Sequence, residues 1–486
     1  MMTVNVITNE YKIKSKGLDH RMADIYIVYA HEDHAVAEKL YGLLSQQWDT
    51  WWDDKIIGRF AKVIESEIPK ARCIVALFST FSRNKETFTE ELRLAQKHDV
   101  ELLPTRLDDS DPPYPFGAYS YTELRNWNGD AAHPGFLQLQ RRLGIVVPPR
   151  AKPQRPTAIA NGNVPLPTLF MSVSSHETQL VPAEALKALR VFEAPAILIS
   201  AYDMVTRRKP QAMIDELMEY RKSGGFVLVD SGNYEASRLG SRRWKPKDLK
   251  EALAQTPHDW AFCFDVMNPG QNPDRAIDKI VEAVERDKEF TTAPVLPIVH
   301  APKLKQGGYK LEHIPLIVRE VAARLEPQVI AIPERELGAG LIARAQTVRA
   351  IRQELNKLPY YQPLHLLGTG NPWSIAVLAA AGADTFDGLE WCRIVIDPDL
   401  ERIHHFQHFD FFTGQGARSP FIQAVLEDCD IGFAGKVAFH NLDYFSSFMK
   451  IMRDMFAEDA VEAFVIGLIG KKATTQLKEQ FPDLFR

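Results

Sequence analysis

The stretch "HLLGTGNPWSIAVLAAAGADTFDGLEWCR", His365 to Arg393, decides how the larger part of this chain folds. It opens in an apolar run of strand length, "PLHLLG", that gives way to the glycines Gly368 and Gly370. The Ala-rich run Ile375 to Ala383 fits a buried helix and is far short of the roughly 18 apolar residues that would span a bilayer. "ADTFD" then reads as a second, shorter strand with two aspartates, Asp384 and Asp387. Strand, helix, strand is the repeating unit of a parallel sheet.

Outward from this unit the alternation recurs. "TLFMSV", "AILISA", "FVLVD", "DWAFCFD", "PVLPIVH" and "QVIAIP" are strand-like, and helical patterns fall between most of them, as at Pro210–Lys222, Asp274–Asp287, Leu311–Leu325 and Leu337–Leu355. Eight strands alternating with helices over about 230 residues predict a closed (β/α)8 barrel of TIM type, with an open doubly wound sheet as the competing arrangement. In such a barrel the reactive groups sit where strands end. Asp230, Asp265, His300, Glu334 and Asp387 each end an apolar run, and five such residues converging on one mouth exceed what solvation of strand ends requires. A carboxylate-rich pocket suits a cationic transition state, or the N–H donors of a purine-like ring.

The chain before this region is of a different kind. "VVPPRAKPQRPTAIANGNVPLP", Val146 to Pro167, is rich in proline, has no sustained apolar period, and reads as an extended linker. The expected organisation is an extension at 1–22, a first domain at 23–145, a linker at 146–167 and the barrel at 168–486. In the first domain "DIYIVY", "RCIVALFS" and "VELLPTRL" are strand-like, and His34–Gln47, Phe60–Lys70 and Phe88–His98 are helical in pattern, which predicts a small parallel sheet with helices on both faces.

Composition narrows the function class. A net charge of −5 gives no general attraction to nucleic acid or to an acidic membrane. Cys73, Cys263, Cys392 and Cys429 are scattered and form no Cys-x-x-Cys pair, which speaks against a disulfide framework and for a reducing, cytoplasmic setting. No secretory leader or membrane span is expected.

The succession "DIYIVYAHEDHAVAEKLYGLL", "WDTWWDDKIIGRF", "RCIVALFSTFS" and "TFTEELRLA" resembles a TIR domain over roughly Ala23 to Gly144. The resemblance implies a flavodoxin-like fold and, in enzymatic members, cleavage of NAD+ as substrate at the nicotinamide–ribose bond by one glutamate. Thr87 and Phe88 stand where that family has Trp and Cys, and Glu91-Leu92 falls on its Glu-Leu. Glu91 is therefore the catalytic candidate, with Glu90 its rival, and Tyr29 and Trp52 are candidate walls of the NAD pocket. Read without the resemblance, two first-turn acids simply complement a helix N-terminus, and the aromatics pack at strand ends.

"DSGNYE", the stretch from His365 to Arg393, and "FHNLDYFSSFMKIMRDMF" together resemble the tRNA-guanine transglycosylases over about Thr168 to Met455. By position the resemblance implies Asp387 as the nucleophile at ribose C1′, Asp230 as general acid/base and Asp265 as a reader of the base edge. It sets His300 where the family has Gln, Glu334 near a base-contacting segment, and Gly368 and Gly370 in the loop framing the pocket. Two departures count. Of the family's zinc ligands only the histidine remains, as His440, so no zinc is expected. Glu401 to Arg486 carries 12 acidic and 9 basic residues, too few positive charges to grip a phosphate backbone. The two resemblances together imply an NAD-depleting effector of bacterial antiphage type. It would self-associate through its TIR domains, with the barrel as sensor of a phage-derived or nucleobase trigger. The alternative is an active base-exchange barrel on a TIR scaffold.

Overall fold

The computed structural model describes residues 24–45, 47–52, 64–65, 67–149, 153–175, 178–206, 210–241, 243–304, 307–413, 419–482 and 484–485. The expected extension at 1–22 and the start of the anticipated helix from Phe60 lie outside the described residues. The chain forms two compact units, Met1–Lys152 and Pro153–Arg486.

In the first unit β1 (Ile25–Val28), β2 (Thr50–Trp51), β3 (Cys73–Phe78), β4 (Glu101–Arg106) and β5 (Thr122–Glu123) form one parallel sheet in the order β2-β1-β3-β4-β5. That order is the flavodoxin-like one. The strands read as unbroken apolar runs because both faces are covered. Ile25, Ile27, Val75 and Leu77 pack with Leu40 and Leu44 of the helix His34–Leu44 on one side. Tyr26, Val28, Ile74 and Phe78 pack with Phe88 and Leu92 of the helix Glu86–Lys97 on the other. The helix Pro134–Val146 was not anticipated, although Phe136, Leu139 and Leu143 give it a buried stripe at helical spacing.

The second unit is the (β/α)8 barrel, and the open sheet is excluded. Its strands are β8 (Thr168–Val173), β9 (Ala196–Ser200), β10 (Phe226–Asp230), β11 (Trp260–Phe262), β12 (Val295–Leu296), β13 (Ile330–Pro333), β14 (Leu364–Leu367) and β15 (Thr385–Gly388). They run parallel in the order β12-β11-β10-β9-β8-β15-β14-β13. The seam closes where Ile298 bridges Ala331, just beyond the Pro297 that cuts β12 short. Phe170, Leu198, Phe226, Leu228, Trp260 and Phe262 fill the interior, so the barrel is a packed core rather than a pore.

The segment 146–167 is not an extended linker throughout. Val146 closes the preceding helix, and β6 (Ala158–Ile159) pairs antiparallel with β7 (Val164–Pro165). Val164 is fully buried with the barrel-interior residues, and Ile159 packs beside it. A short hairpin thus packs against the barrel interior where the prolines suggested extended chain.

Asp384, the residue before β15, is enclosed rather than solvated. Its side chain has no exposed surface and is ringed by donors: Arg155 Nε at 2.6 Å, Arg352 Nη2 at 2.6 Å, the Tyr361 hydroxyl at 2.6 Å and the Leu364 N–H at 2.8 Å. Removing one partner of such a pair strands the other charge, at a cost of about 3–5 kcal/mol. Asp384→Ala is accordingly expected to destabilise the barrel by roughly 3 kcal/mol or more in urea unfolding monitored by tryptophan fluorescence. A change under 1 kcal/mol would show that the network carries little stability.

Candidate functional site

At the carboxyl ends of the strands lies a cavity of about 290 Å³, the small end of the roughly 300–1,000 Å³ range of small-molecule pockets. Asp230, Asp265, His300, Glu334, Gly368 and Asp387 all contribute to its lining. Gly370 lies directly behind: a Cβ there would fall 1.7 Å from Glu390 Oε2.

Asp387 stands in β15, paired with Phe170 of β8, and is 8% exposed. Three donors aim its carboxylate. The Ser172 hydroxyl donates to Oδ2 at 2.8 Å, and the Gly368 N–H donates to Oδ1 at 2.8 Å. His365, fully buried in β14, donates from Nε2 to Oδ1 at 3.2 Å, and its Nδ1 meets the Thr385 hydroxyl at 2.9 Å. Gly368 adopts φ +76°, the left-handed region where a Cβ is strained, and from there its N–H serves Asp387.

Asp230 ends β10 half-buried, and its carboxyl is held well above the usual range by burial and by the charges of Glu235, Asp265 and Asp387. Glu235, on the helix Asn233–Arg238, is pushed up to about 7 by burial and by the Asp203 and Asp387 charges. The Ser200 hydroxyl beside it works against that rise as a hydrogen-bond partner.

Asp265 and His300 form a closed array. His300 donates from Nε2 to Asp265 Oδ2 at 2.7 Å and from Nδ1 to Glu336 Oε1 at 3.0 Å, while the Ser231 hydroxyl donates to Asp265 Oδ1 at 2.6 Å. Burial disfavours a charged His300, but the bonds to Asp265 and Glu336 outweigh it and raise its pKa to about 9. At Asp265 burial is overcome by the bond and charge of His300 and by the Ser231 hydroxyl, which hold its carboxyl below the usual range. Both oxygens of the expected base reader are thus already engaged. Glu334 is likewise engaged, by Arg344 Nη1 at 2.8 Å.

Sequence reasoning passed over Glu235, Glu336 and His365. Glu235 closes "DSGNYE" and Glu336 closes "PERE", each close to a residue that was singled out. His365 opens the quoted strand, where burial rather than a motif gives it its place.

In the first unit Glu91 is half-buried and accepts from the Tyr26 hydroxyl at 3.2 Å, while Glu90 is exposed. Tyr29 and Trp52 are adjacent, with ring centroids 5.7 Å apart, but they pack with His34 and Tyr41 on the opposite face of the sheet from Tyr26 and Phe88. Tyr26 lies within β1 and packs on one face, whereas Tyr29 follows the strand's last residue, Val28, and packs with the cluster of Ile25 and Ile27.

A flavodoxin-like domain joined to a (β/α)8 barrel with carboxylates at its mouth defines the class. Residues 25–139 match the family model of the TIR domain, and residues 156–393 match that of queuine tRNA-ribosyltransferase. The chain carries an N-terminal TIR domain and a C-terminal domain of the tRNA-guanine transglycosylase type. It is 24% identical over 241 residues to a tRNA-guanine(15) transglycosylase of Methanopyrus kandleri, covering 46% of this chain and 48% of that protein. A queuine tRNA-ribosyltransferase of Dehalococcoides mccartyi is 23% identical over 362 residues, covering 65% of this chain and 89% of its own. Against the archaeal relatives from Methanopyrus kandleri and Methanothermobacter thermautotrophicus, the chain spans 48% and 32% of their length.

The residues present do not fit the zinc ion that the transglycosylase family implies. His440 directs Nε2 at the Ile396 carbonyl at 2.8 Å and packs its ring on Phe409. Among the described residues no three His, Cys, Asp or Glu side chains gather as ligands, and no helix is long and apolar enough to cross a membrane.

The pocket acids make stability pH-dependent in a defined direction. Glu235 and His300 both titrate higher folded than unfolded, so each contributes stability that is complete at low pH and lost as pH rises. For Glu235 the loss falls between its ordinary 4.5 and about 7, and for His300 between 6.5 and about 9. Thermal melts from pH 4 to pH 10 should show Glu235→Gln flattening the lower window and His300→Gln the upper. Unchanged profiles in both variants would contradict the assignment.

Proposed function

We propose that this protein is an NAD+ nucleosidase of antiviral defence, with the TIR domain as effector and the barrel as the ligand-sensing platform that controls it. The observation that carries the catalytic part is the Tyr26–Glu91 hydrogen bond of 3.2 Å. It fixes a half-buried carboxylate at one oxygen, while Glu90 one position earlier faces solvent. Departure of nicotinamide takes the C–N bonding electrons and leaves a cationic ribosyl centre, which a fixed negative charge stabilises. Water then adds at C1′ and releases a proton, giving ADP-ribose. Regulation enters through association of TIR domains, on a trigger held at the barrel. The four separated cysteines agree with a cytoplasmic setting.

Nicotinamide release by the full-length protein, with and without extract of phage-infected cells, tests this reading. Glu91→Ala is expected to lose about a hundredfold or more, Tyr26→Phe about tenfold, and Glu90→Ala little. Turnover that survives in Glu91→Ala would refute the assignment of that residue. Absence of turnover under every condition would refute the nucleosidase reading itself.

A second reading is favoured by the triple support of Asp387. A carboxylate aimed by Ser172, His365 and Gly368 into a small cavity that also holds Asp230 suits attack on a ribose carbon and protonation of the departing base. In this reading the barrel exchanges bases and the TIR domain is the scaffold. Incorporation of labelled guanine into nucleic acid or nucleoside, abolished in Asp387→Asn, is its expected signature. No incorporation into any acceptor leaves the barrel as a binding domain.

A further inference from the structure

The mouth of the barrel divides by charge. Acids occupy its interior, and three arginines, Arg238, Arg335 and Arg393, stand among its lining. Arg335 is exposed and lies over the Tyr234 ring, 4.2 Å from its centroid. Arg238 approaches the same ring at 5.6 Å and reaches its hydroxyl at 3.5 Å. The two glutamates beside Arg335 in sequence do not neutralise it: Glu334 is paired with Arg344, and Glu336 accepts from His300 and from the Ala301 N–H. Among the described residues no carboxylate pairs with Arg335. A tyrosine bracketed by two guanidinium groups is a preoriented cationic rim, and guanidinium is the side chain suited to bidentate recognition of phosphate.

The interior supplies the opposite chemistry. Glu235 lines the cavity, and its carboxyl lies beside the buried Ser200 hydroxyl. Glu235 near neutral pH passes between carboxylate and acid, so it offers an acceptor in one form and a donor beside an acceptor in the other. With Asp265 engaged by His300 and Ser231, reading of a base edge moves to Glu235 and Asp230. A cavity of about 290 Å³ admits one base with its sugar and not a run of them. The chain from Glu401 onward, with 12 acidic against 9 basic residues, offers no continuation for a phosphate backbone.

We propose that the barrel pocket binds a free nucleoside monophosphate, its base turned in to Glu235 and Asp230, its ribose beside Asp387, and its phosphate on the Arg238–Tyr234–Arg335 rim. This rests on the reading above that the barrel accepts a ribosylated base, and it names the form in which that base arrives.

The test is calorimetric titration of the full-length protein with guanosine, adenosine, cytidine and uridine 5′-monophosphates, with the four nucleosides, and with a single-stranded RNA oligonucleotide at physiological salt. At least one monophosphate is expected to bind about tenfold tighter than its nucleoside. The double variant Arg238→Ala/Arg335→Ala should bring that monophosphate down to the level of its nucleoside while the nucleoside's own affinity stays. This retained affinity separates loss of the rim from loss of the fold. Glu235→Gln should change the order of preference among the four bases. Equal affinity for nucleoside and monophosphate would overturn the phosphate rim and leave the base pocket standing. Tighter binding of the oligonucleotide would overturn the restriction to a free nucleotide. No binding by any compound would overturn both this proposal and the reading of the barrel as a nucleoside-sized sensor, whereas the nicotinamide assay would stand untouched.

Discussion

Asp384 carries a charge with no exposed surface, and much of the second unit is arranged around neutralising it. Arg352 reaches it from the helix Gly340–Leu355, Arg155 from the chain ahead of the β6–β7 hairpin, and Tyr361 and the Leu364 N–H from the start of β14. Arg352 also donates to the Gly382 and Gln362 carbonyls, so one guanidinium ties together the two chain segments that enter β14 and β15. Such a network specifies geometry more than it adds stability, because each charge is costly unless its partners are in place. Asp387 follows three residues later, in the β15 strand that starts just after Asp384, about 10 Å away. Fixing Asp384 at the floor therefore sets the register that presents Asp387 at the mouth.

At that mouth, protonation separates the acids into two kinds. Crowded carboxylates in a poorly solvated cavity cannot all ionise, and burial with mutual repulsion raises Asp230, Glu235 and Glu390. Asp265 escapes because the His300 imidazolium, held on its other side by Glu336, supplies a compensating charge. One pocket thus holds an ionised acceptor, a charged donor, and acids available as donors near neutral pH. That mixture suits recognition of a polar heterocycle, and it equally suits proton transfer to a departing base.

The first unit shows how the face on which a residue packs selects between neighbouring candidates. Glu91 and Glu90 are indistinguishable by composition, yet on the helix Glu86–Lys97 one faces Tyr26 and the other faces water. Tyr29 and Trp52 are excluded from that neighbourhood by the same geometry, since they belong to the cluster of Ile25 and Ile27 on the other face. Their packing with His34 and Tyr41 has the character of a strand-end aromatic cluster.

The amino-acid sequence alone determined the alternation of strands and helices, the division into two folds and the set of polar residues at strand ends. Each of these is a local property: apolar runs of strand length, helical spacing between them, and a polar group where burial stops. Tertiary structure alone decided which of those polar groups act together. Asp384 and Asp387 differ little in sequence context, but one is enclosed by residues distant in the chain, Arg352 and Arg155 among them, and the other opens on a cavity. Glu235 matters through a carboxyl raised by its place in the cavity, His365 through its place beneath Asp387, and Glu336 through its grip on His300. The hairpin at Ala158 to Pro165 was hidden because prolines signal extended chain whether or not a barrel floor lies ready to receive it. Burial and hydrogen bonding are relations between distant segments, and closure of the barrel is what brings those segments together.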